Sequence, residues 1–269
     1  MNLPNDPIQR PKKVRMGRIF GAALATLGGV AAVAIGIRGP GAPLEGPTVS
    51  CASRVIVIDT SSSDRSPVLS NLADRVINAA AQSAMVCNDS LSVYGVAGGG
   101  AEATIITTDD LGGFAPIGPT EQIRSLRFNS AQRSALDSLI SARLRAAYDT
   151  GNPSLTSVPA LYWVASEYLT RGAQVLLITD GVNEDAQLNL NKALAVGAGA
   201  TLARSITVSS LPGATVTIVG LAQVDANTAA PSAVWPNEIR NFNAVLCRTS
   251  RATLCRLFGL ASISQSLDS

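Results

Sequence analysis

The sequence predicts an α/β protein with a doubly wound, mainly parallel sheet, one antiparallel edge strand, and one transmembrane helix ahead of the sheet. Short runs of β-branched residues alternate with amphipathic segments, which is the pattern of strands joined by crossover helices. A glycine triplet at 98–100 separates two further strand-like runs and predicts a hairpin. Apolar residues make up 46% and charged residues 15% of the 269 residues, so the chain can bury one core.

The first predicted element is a membrane-spanning helix over residues 19–37, which contain no charged side chain. As a helix this run is about 28 Å long, close to the roughly 30 Å of a bilayer's hydrocarbon core. Basic residues concentrate at 10–18, and the positive-inside rule places that side in the cytoplasm. We therefore expect a cytoplasmic tail at 1–18 and an extracytoplasmic domain held in the cell membrane by a single span. A cleaved signal peptide, with an Ala-x-Ala-like site at 32–34, is the alternative.

Beyond the span, a Pro/Gly linker at 38–50 leads to a domain predicted over 51–262 and a short tail at 263–269. In the domain, apolar patterns predict strands at 54–58, 91–96, 103–107, 174–179 and 215–221. They predict helices at 67–86, 121–148 and 158–170, within 188–208, and at 237–258. In an open sheet of this kind, ligands bind at the carboxyl ends of the strands.

Charge and composition exclude several functions. Residues 1–45 contain six basic and two acidic residues, a balance of +4. Because the whole chain is +2, residues 46–269 have −2, and nothing there indicates a nucleic-acid surface. The chain has no histidine, which excludes Ser-His-Asp and Cys-His catalysis and every His-ligated metal site. Paired carboxylates at catalytic spacing are not visible either, so we expect no catalytic residues and no enzyme.

Polar residues follow two of the predicted buried strands. The sequence reads Asp-Thr-Ser-Ser-Ser directly after the first strand, and Thr-Asp-Gly where the strand at 174–179 ends. Short oxygen ligands on loops at one sheet edge can bind a hard cation, and Mg²⁺ takes about six oxygens and keeps waters readily. The pattern therefore predicts a Mg²⁺ or Mn²⁺ site at Asp59, Ser61, Ser63 and Asp180. Since helix starts also favour Ser, Thr and Asp, a polar N-capping turn is the alternative.

The same residues resemble the metal-ion-dependent adhesion site (MIDAS) of von Willebrand factor type A (VWA) domains. In that family Asp-x-Ser-x-Ser ends the first strand and Thr-Asp-Gly ends the fourth. The resemblance covers roughly residues 52–260 and implies the Rossmann-like VWA fold. It also implies a further ligand, a threonine from another loop. The matching position here is Leu155, which cannot bind a metal, so a shift of one residue would bring Thr156 or Ser154 into that role, with Thr156 preferred.

All four cysteines follow the predicted span. They are therefore expected in an oxidising, extracytoplasmic compartment, where disulfides persist. Cys51 and Cys87 each precede a strand of a parallel pair, so they lie next to each other and predict a Cys51–Cys87 disulfide. Cys247 and Cys255 would then pair. A continuous helix would hold them about 12 Å apart, so this pairing requires a break near 249–250. Two buried free thiols are the alternative for the second pair.

Together these features predict a membrane-anchored extracytoplasmic binding domain, and the use of arginine over lysine is typical of a GC-rich bacterial genome. Its ligand would be a protein that offers a carboxylate to the divalent cation. The alternative is a metal-independent structural subunit of a cell-envelope or secretion assembly. Dependence of partner binding on the metal separates these two functions.

Overall fold

A computed structural model of the chain describes residues 52–61, 67–87, 89–97, 101–112, 130–150, 157–170, 172–184, 188–190, 192, 194–223 and 230–259. Several predicted features lie outside these residues, among them the span at 19–37, the linker, the glycine turn and the C-terminal tail. None of the helices within the described part is long and apolar enough to cross a membrane.

The strands and helices follow the predicted order except for two elements that were not predicted, the short helix at Thr108–Leu111 and the strand at Leu254–Phe258. The strands are β1 (Arg54–Asp59), β2 (Leu91–Ala97), β3 (Ala101–Thr107), β4 (Gln174–Ile178), β5 (Thr215–Val219) and β6 (Leu254–Phe258). The helices are α1 (Pro67–Cys87), α2 (Thr108–Leu111), α3 (Ser130–Thr150), α4 (Val158–Glu167), α5 (Ala198–Arg204) and α6 (Trp235–Thr249).

The strands form one six-stranded sheet in the order β3-β2-β1-β4-β5-β6. All neighbouring pairs are parallel except β2 and β3, which pair antiparallel at one edge. The predicted sheet, mainly parallel with one antiparallel edge strand, is therefore confirmed. β1 lies in the middle, with Asp59 opposite Val96 of β2 and Ile58 opposite Ile178 of β4. The carboxyl ends of β1 and β4 thus lie side by side at one edge of the sheet.

Both faces of the sheet are covered, which explains why the central strands are apolar without interruption. Val55 and Val57 of β1 pack in a cluster with residues of α4, α5 and α6. Ile56 and Ile58 point the other way and pack in a second cluster with residues of α1 and α3. Each fully buried side chain of this size contributes roughly 1.5–3 kcal/mol of transfer free energy. The two clusters fix β1, and therefore its carboxyl end, within the molecule.

The prediction of a closing helix at 237–258 is wrong for the second half of that range. α6 ends at Thr249, the chain turns through Arg251 in a left-handed conformation (φ 62°), and β6 pairs with β5 at the sheet edge. Cys247 of α6 and Cys255 of β6 form a disulfide with their Cα atoms 6.1 Å apart. The second predicted disulfide and the break that it requires are both confirmed.

The other predicted disulfide lies only partly within the described residues. Cys87, the last residue of α1, is disulfide-bonded. Its predicted partner, Cys51, lies outside the described residues.

Candidate site at the carboxyl edge of the sheet

Asp59 is the last residue of β1, and its side chain organises the loop that follows. Its carboxylate oxygen Oδ1 accepts a hydrogen bond of 3.0 Å from the backbone N–H of Ser61, which closes a tight Asx turn. The N–H of Thr60 donates to the carbonyl oxygen of Val96 at 2.8 Å, so the loop stays attached to β2. Asp59 is 2% exposed and Ser61 is 1% exposed. The start of the predicted metal motif is therefore a buried and ordered turn.

The residues after β4 meet this turn directly. Thr179 donates its hydroxyl proton to Oδ2 of Asp59 at 3.1 Å and accepts a bond of 2.9 Å from the N–H of Gly181. Oδ1 of Asp180 accepts a hydrogen bond of 2.8 Å from the N–H of Val182. Asp180 is also buried, with 3% exposure. Two carboxylates from motifs 120 residues apart are thus held at one edge of the sheet, where the Thr179 hydroxyl links Asp59 to the Gly181 backbone of the second motif.

Gly181 is required by the shape of this loop. It adopts a left-handed conformation with φ of 76°, which favours glycine. A Cβ atom at this position would collide with the side chains of Leu221 and Asn243. The Asp-Gly pair therefore lets the chain turn sharply past Asp180 while α6 packs against it.

Two buried asparagines that were not predicted from the sequence support the loop. Asn243 of α6 is fully buried and donates from Nδ2 to the carbonyl oxygen of Gly181 at 3.0 Å. Oδ1 of Asn183 accepts a bond of 2.9 Å from the N–H of Val158, the first residue of α4. Asn183 thereby connects the Asp180 loop to the start of α4. Nothing in the local sequence marks either role, because the bond to Gly181 spans 62 residues of chain and the bond to Val158 spans 25.

Of the predicted metal ligands, the structure brings Asp59, Ser61 and Asp180 to the same edge. Ser63, Thr156 and the alternative Ser154 lie outside the described residues. No group of three or more His, Cys, Asp and Glu residues that could hold a metal occurs within the described part, so the carboxylates alone form no closed cage there.

The oxygen ligands present at this site suit a hard divalent cation. Carboxylate and hydroxyl oxygens are the ligands that Mg²⁺ and Mn²⁺ prefer. Asp59 and Asp180 contribute carboxylates and Ser61 contributes a hydroxyl, so the site offers ligands of this kind. These observations define a Rossmann-like α/β domain with a polar, acidic site at the carboxyl ends of β1 and β4.

Comparisons with known proteins give distant structural likenesses. No protein-family model matches the chain, and no curated protein matches it. Among solved structures, BatB from Bacteroides thetaiotaomicron is 16% identical with a TM-score of 0.35, covering 81% of this chain and 98% of BatB.

Two further structures give similar values. An aerotolerance-related membrane protein from Bacteroides fragilis is 15% identical with a TM-score of 0.33, covering 81% of this chain and 99% of that one. The pilus adhesin SpaC from Lactobacillus rhamnosus GG is 14% identical with a TM-score of 0.39, covering 82% of this chain and 30% of SpaC.

Proposed function

We propose that the chain is a membrane-anchored, extracytoplasmic VWA-like binding domain that engages a protein partner through a divalent cation at a MIDAS-type site. One observation carries the proposal: the hydrogen bond between Thr179 and Asp59 joins the Asp-x-Ser-x-Ser and Thr-Asp-Gly motifs at the edge where open α/β sheets bind ligands. The membrane anchor is the charge-free segment at 19–37.

The residues proposed to hold Mg²⁺ or Mn²⁺ are Asp59, Ser61, Ser63 and Asp180, with Thr156 as the ligand from a third loop. When bound, the cation supplies a positive centre that a carboxylate of the partner can reach. The protein keeps Asp59 and Asp180 in position through the Ser61 and Val182 backbone N–H groups. The proposal includes no chemical step, and none of these residues is assigned a catalytic role.

The second candidate function is that of a metal-independent structural subunit of a cell-envelope or secretion assembly. One observation favours it. Both oxygens of the Asp59 carboxylate already accept hydrogen bonds, from Ser61 and Thr179, so the turn keeps its shape without an ion. Recovery of partners from solubilised membranes, with Mg²⁺ or with chelator, separates the two functions. Partners retained equally in both conditions would favour the structural subunit.

The metal itself is tested by thermal unfolding of the purified protein. Two nearby carboxylates repel each other, and a cation that binds the folded state stabilises it by about 2.7 kcal/mol at a hundredfold excess over Kd. We expect millimolar Mg²⁺ or Mn²⁺ to raise the melting temperature of the wild type. We expect no such rise in Asp59→Ala, which removes one carboxylate.

The matched control for this test is Asp149→Ala, which removes an exposed carboxylate on α3. Its response to the metal should equal that of the wild type. Asp59→Ala also removes the hydrogen bonds from Ser61 and Thr179, each worth about 1 kcal/mol. The melting temperature of this variant with metal must therefore be compared with its own melting temperature in chelator. Equal melting of the wild type with metal and with chelator, and no bound metal on titration, would reject the metal site.

A further inference from the structure

A polar cavity of about 300 Å³ lies between α1 and α3, separate from the site just described. Leu144 and Tyr148 of α3 line it and are both buried. Ser70, Asn71 and Asp74 of α1 line one wall, and Ser141 and Arg145 of α3 line the other. A cavity of this size is at the small end of the range for ligand pockets. Its lining is polar, which suits a hydrophilic small molecule.

Two opposite charges line this cavity without pairing with each other. The ion pair found among the described residues joins Arg143 to Asp110 and involves neither Asp74 nor Arg145. Oδ1 of Asp74 accepts a hydrogen bond of 2.8 Å from the hydroxyl of Ser141, so the carboxylate is held in place. Both charges stand on regular helices that pack against each other, which fixes the spacing of their backbones.

We propose that this cavity binds a zwitterion of amino-acid size, with its ammonium group at Asp74 and its carboxylate at Arg145. A guanidinium group matches a carboxylate with two parallel hydrogen bonds, and an ammonium group donates three. A ligand with a single charge would leave either Asp74 or Arg145 without a counter-charge. The Tyr148 ring and Leu144 provide an apolar surface for the ligand's carbon atoms.

This binding site is independent of the proposed metal site, because none of its residues belongs to the metal motif. It nevertheless lies towards the same end of the sheet. Ser70 and Asn71 are close to the start of α1, which follows the Asp59 loop, and Tyr148 is close to the end of α3. A small molecule bound here would therefore lie beside the surface proposed for the protein partner.

The test uses the full-length protein in detergent and pools of the twenty free L-amino acids as probes. Saturation-transfer NMR identifies those that bind, and titration calorimetry measures their Kd. We expect at least one amino acid to bind, and its N-acetyl and amide derivatives to bind at least tenfold more weakly, because each lacks one charge. Asp74→Asn and Arg145→Gln should each weaken binding at least tenfold. Asparagine at position 74 keeps an acceptor for Ser141, which protects the fold.

Control variants are Asp149→Asn and Arg75→Gln, which neutralise exposed charges of the same helices outside the cavity lining. Both should bind the amino acid like the wild type. The proposal is overturned if no amino acid binds at about 10 mM, a concentration well above a Kd of about 1 mM. It is also overturned if the controls weaken binding as much as the cavity variants. Unchanged amino-acid binding in Asp59→Ala supports the proposal. Loss of binding in that variant would place the ligand at the carboxyl ends of β1 and β4 and reject the cavity as its site.

Discussion

At the scale of single residues, the geometry of the Asp180 loop depends on α6. Asn243 holds the Gly181 carbonyl from a fully buried position, and its own Oδ1 has no hydrogen-bond partner. A buried acceptor without a partner costs free energy, on the order of 1–3 kcal/mol. Because the Asn243 amide stays in the core at that cost, we infer that its role is to position Gly181, the residue that follows Asp180.

We therefore predict that Asn243→Ala weakens metal binding as well as stability. The variant leaves the Gly181 carbonyl buried without its donor, which costs roughly 1–3 kcal/mol, and it frees the Asp180 loop to move. Its melting temperature should rise less with Mg²⁺ than that of the wild type. Leu246→Ala is the control, because it creates a cavity in the same helix, at a cost of about 2–5 kcal/mol, without touching the loop. An equal metal response in Asn243→Ala and wild type would contradict this role.

Tyr162 is a second buried polar residue, and we predict that Tyr162→Phe is neutral or stabilising, by up to about 1 kcal/mol. The side chain is fully buried in α4, its hydroxyl has no hydrogen-bond partner, and burial raises its pKa well above the usual value. Removing an unpaired buried hydroxyl removes its desolvation cost. The measurement is urea unfolding of both proteins. A loss of more than about 1 kcal/mol would mean that the hydroxyl has a stabilising partner.

The site residues divide into those that the sequence could predict and those that it could not. Asp59, Ser61 and Asp180 lie in short motifs directly after apolar strands, so local sequence is enough to find them. Asn243 contacts Gly181 across 62 residues of chain, and a lone asparagine in a helical segment gives no local signal. Its role follows only from the packing of α6 on the loop.

At the scale of secondary structure elements, β6 is a second feature that the local sequence does not predict. The Cys247–Cys255 pairing predicted a break near 249–250, and α6 does end there. β6 has only five residues and lies at the sheet edge, where its first residue, Leu254, is 41% exposed. Helical and strand patterns cannot be separated over so short a run. Its pairing with β5 decides the structure.

Helix α5 depends on a buried carboxylate of α6, and this gives a pH prediction. Glu238 accepts hydrogen bonds from the backbone N–H groups of Gly197 and Gly199 at the start of α5, and these bonds lower its pKa below 4.5. Because the folded pKa is below the unfolded one, the stabilisation is complete above about pH 4.5 and is lost as the pH falls through the folded pKa.

We expect Glu238→Gln to be less stable than the wild type at neutral pH. This difference in the free energy of unfolding should shrink as the pH falls below about 4.5. Chemical denaturation at several pH values measures it. The variant keeps some acid sensitivity, because the hydrogen bond from Arg143 also lowers the pKa of Asp110. Glu167→Gln, an exposed position of α4, is the control and should show the same pH dependence as the wild type. A constant difference between Glu238→Gln and the wild type at every pH would contradict the capping role.

At the scale of the whole molecule, two independent features indicate the same compartment for the domain. Basic residues concentrate before the charge-free segment at 19–37, which favours a cytoplasmic N-terminus. Cys87, Cys247 and Cys255 all follow that segment and are all disulfide-bonded, which is typical of proteins in oxidising compartments. Charge distribution and cysteine chemistry are unrelated properties of the chain, so their agreement supports the orientation proposed above.

The corresponding prediction is that residues 46–269 lie outside the membrane in intact cells and keep their disulfides. After the outer envelope is permeabilised, added protease should degrade the domain, and maleimide without reductant should leave Cys247 and Cys255 unlabelled. A cytoplasmic protein with free cysteines serves as the control, because it should resist the protease in the same cells and be labelled after lysis. Protection of the domain, together with labelling of Cys247 or Cys255 once the cells are lysed, would reverse the orientation. A soluble product that begins near residue 35 would instead show that the segment is a cleaved signal peptide.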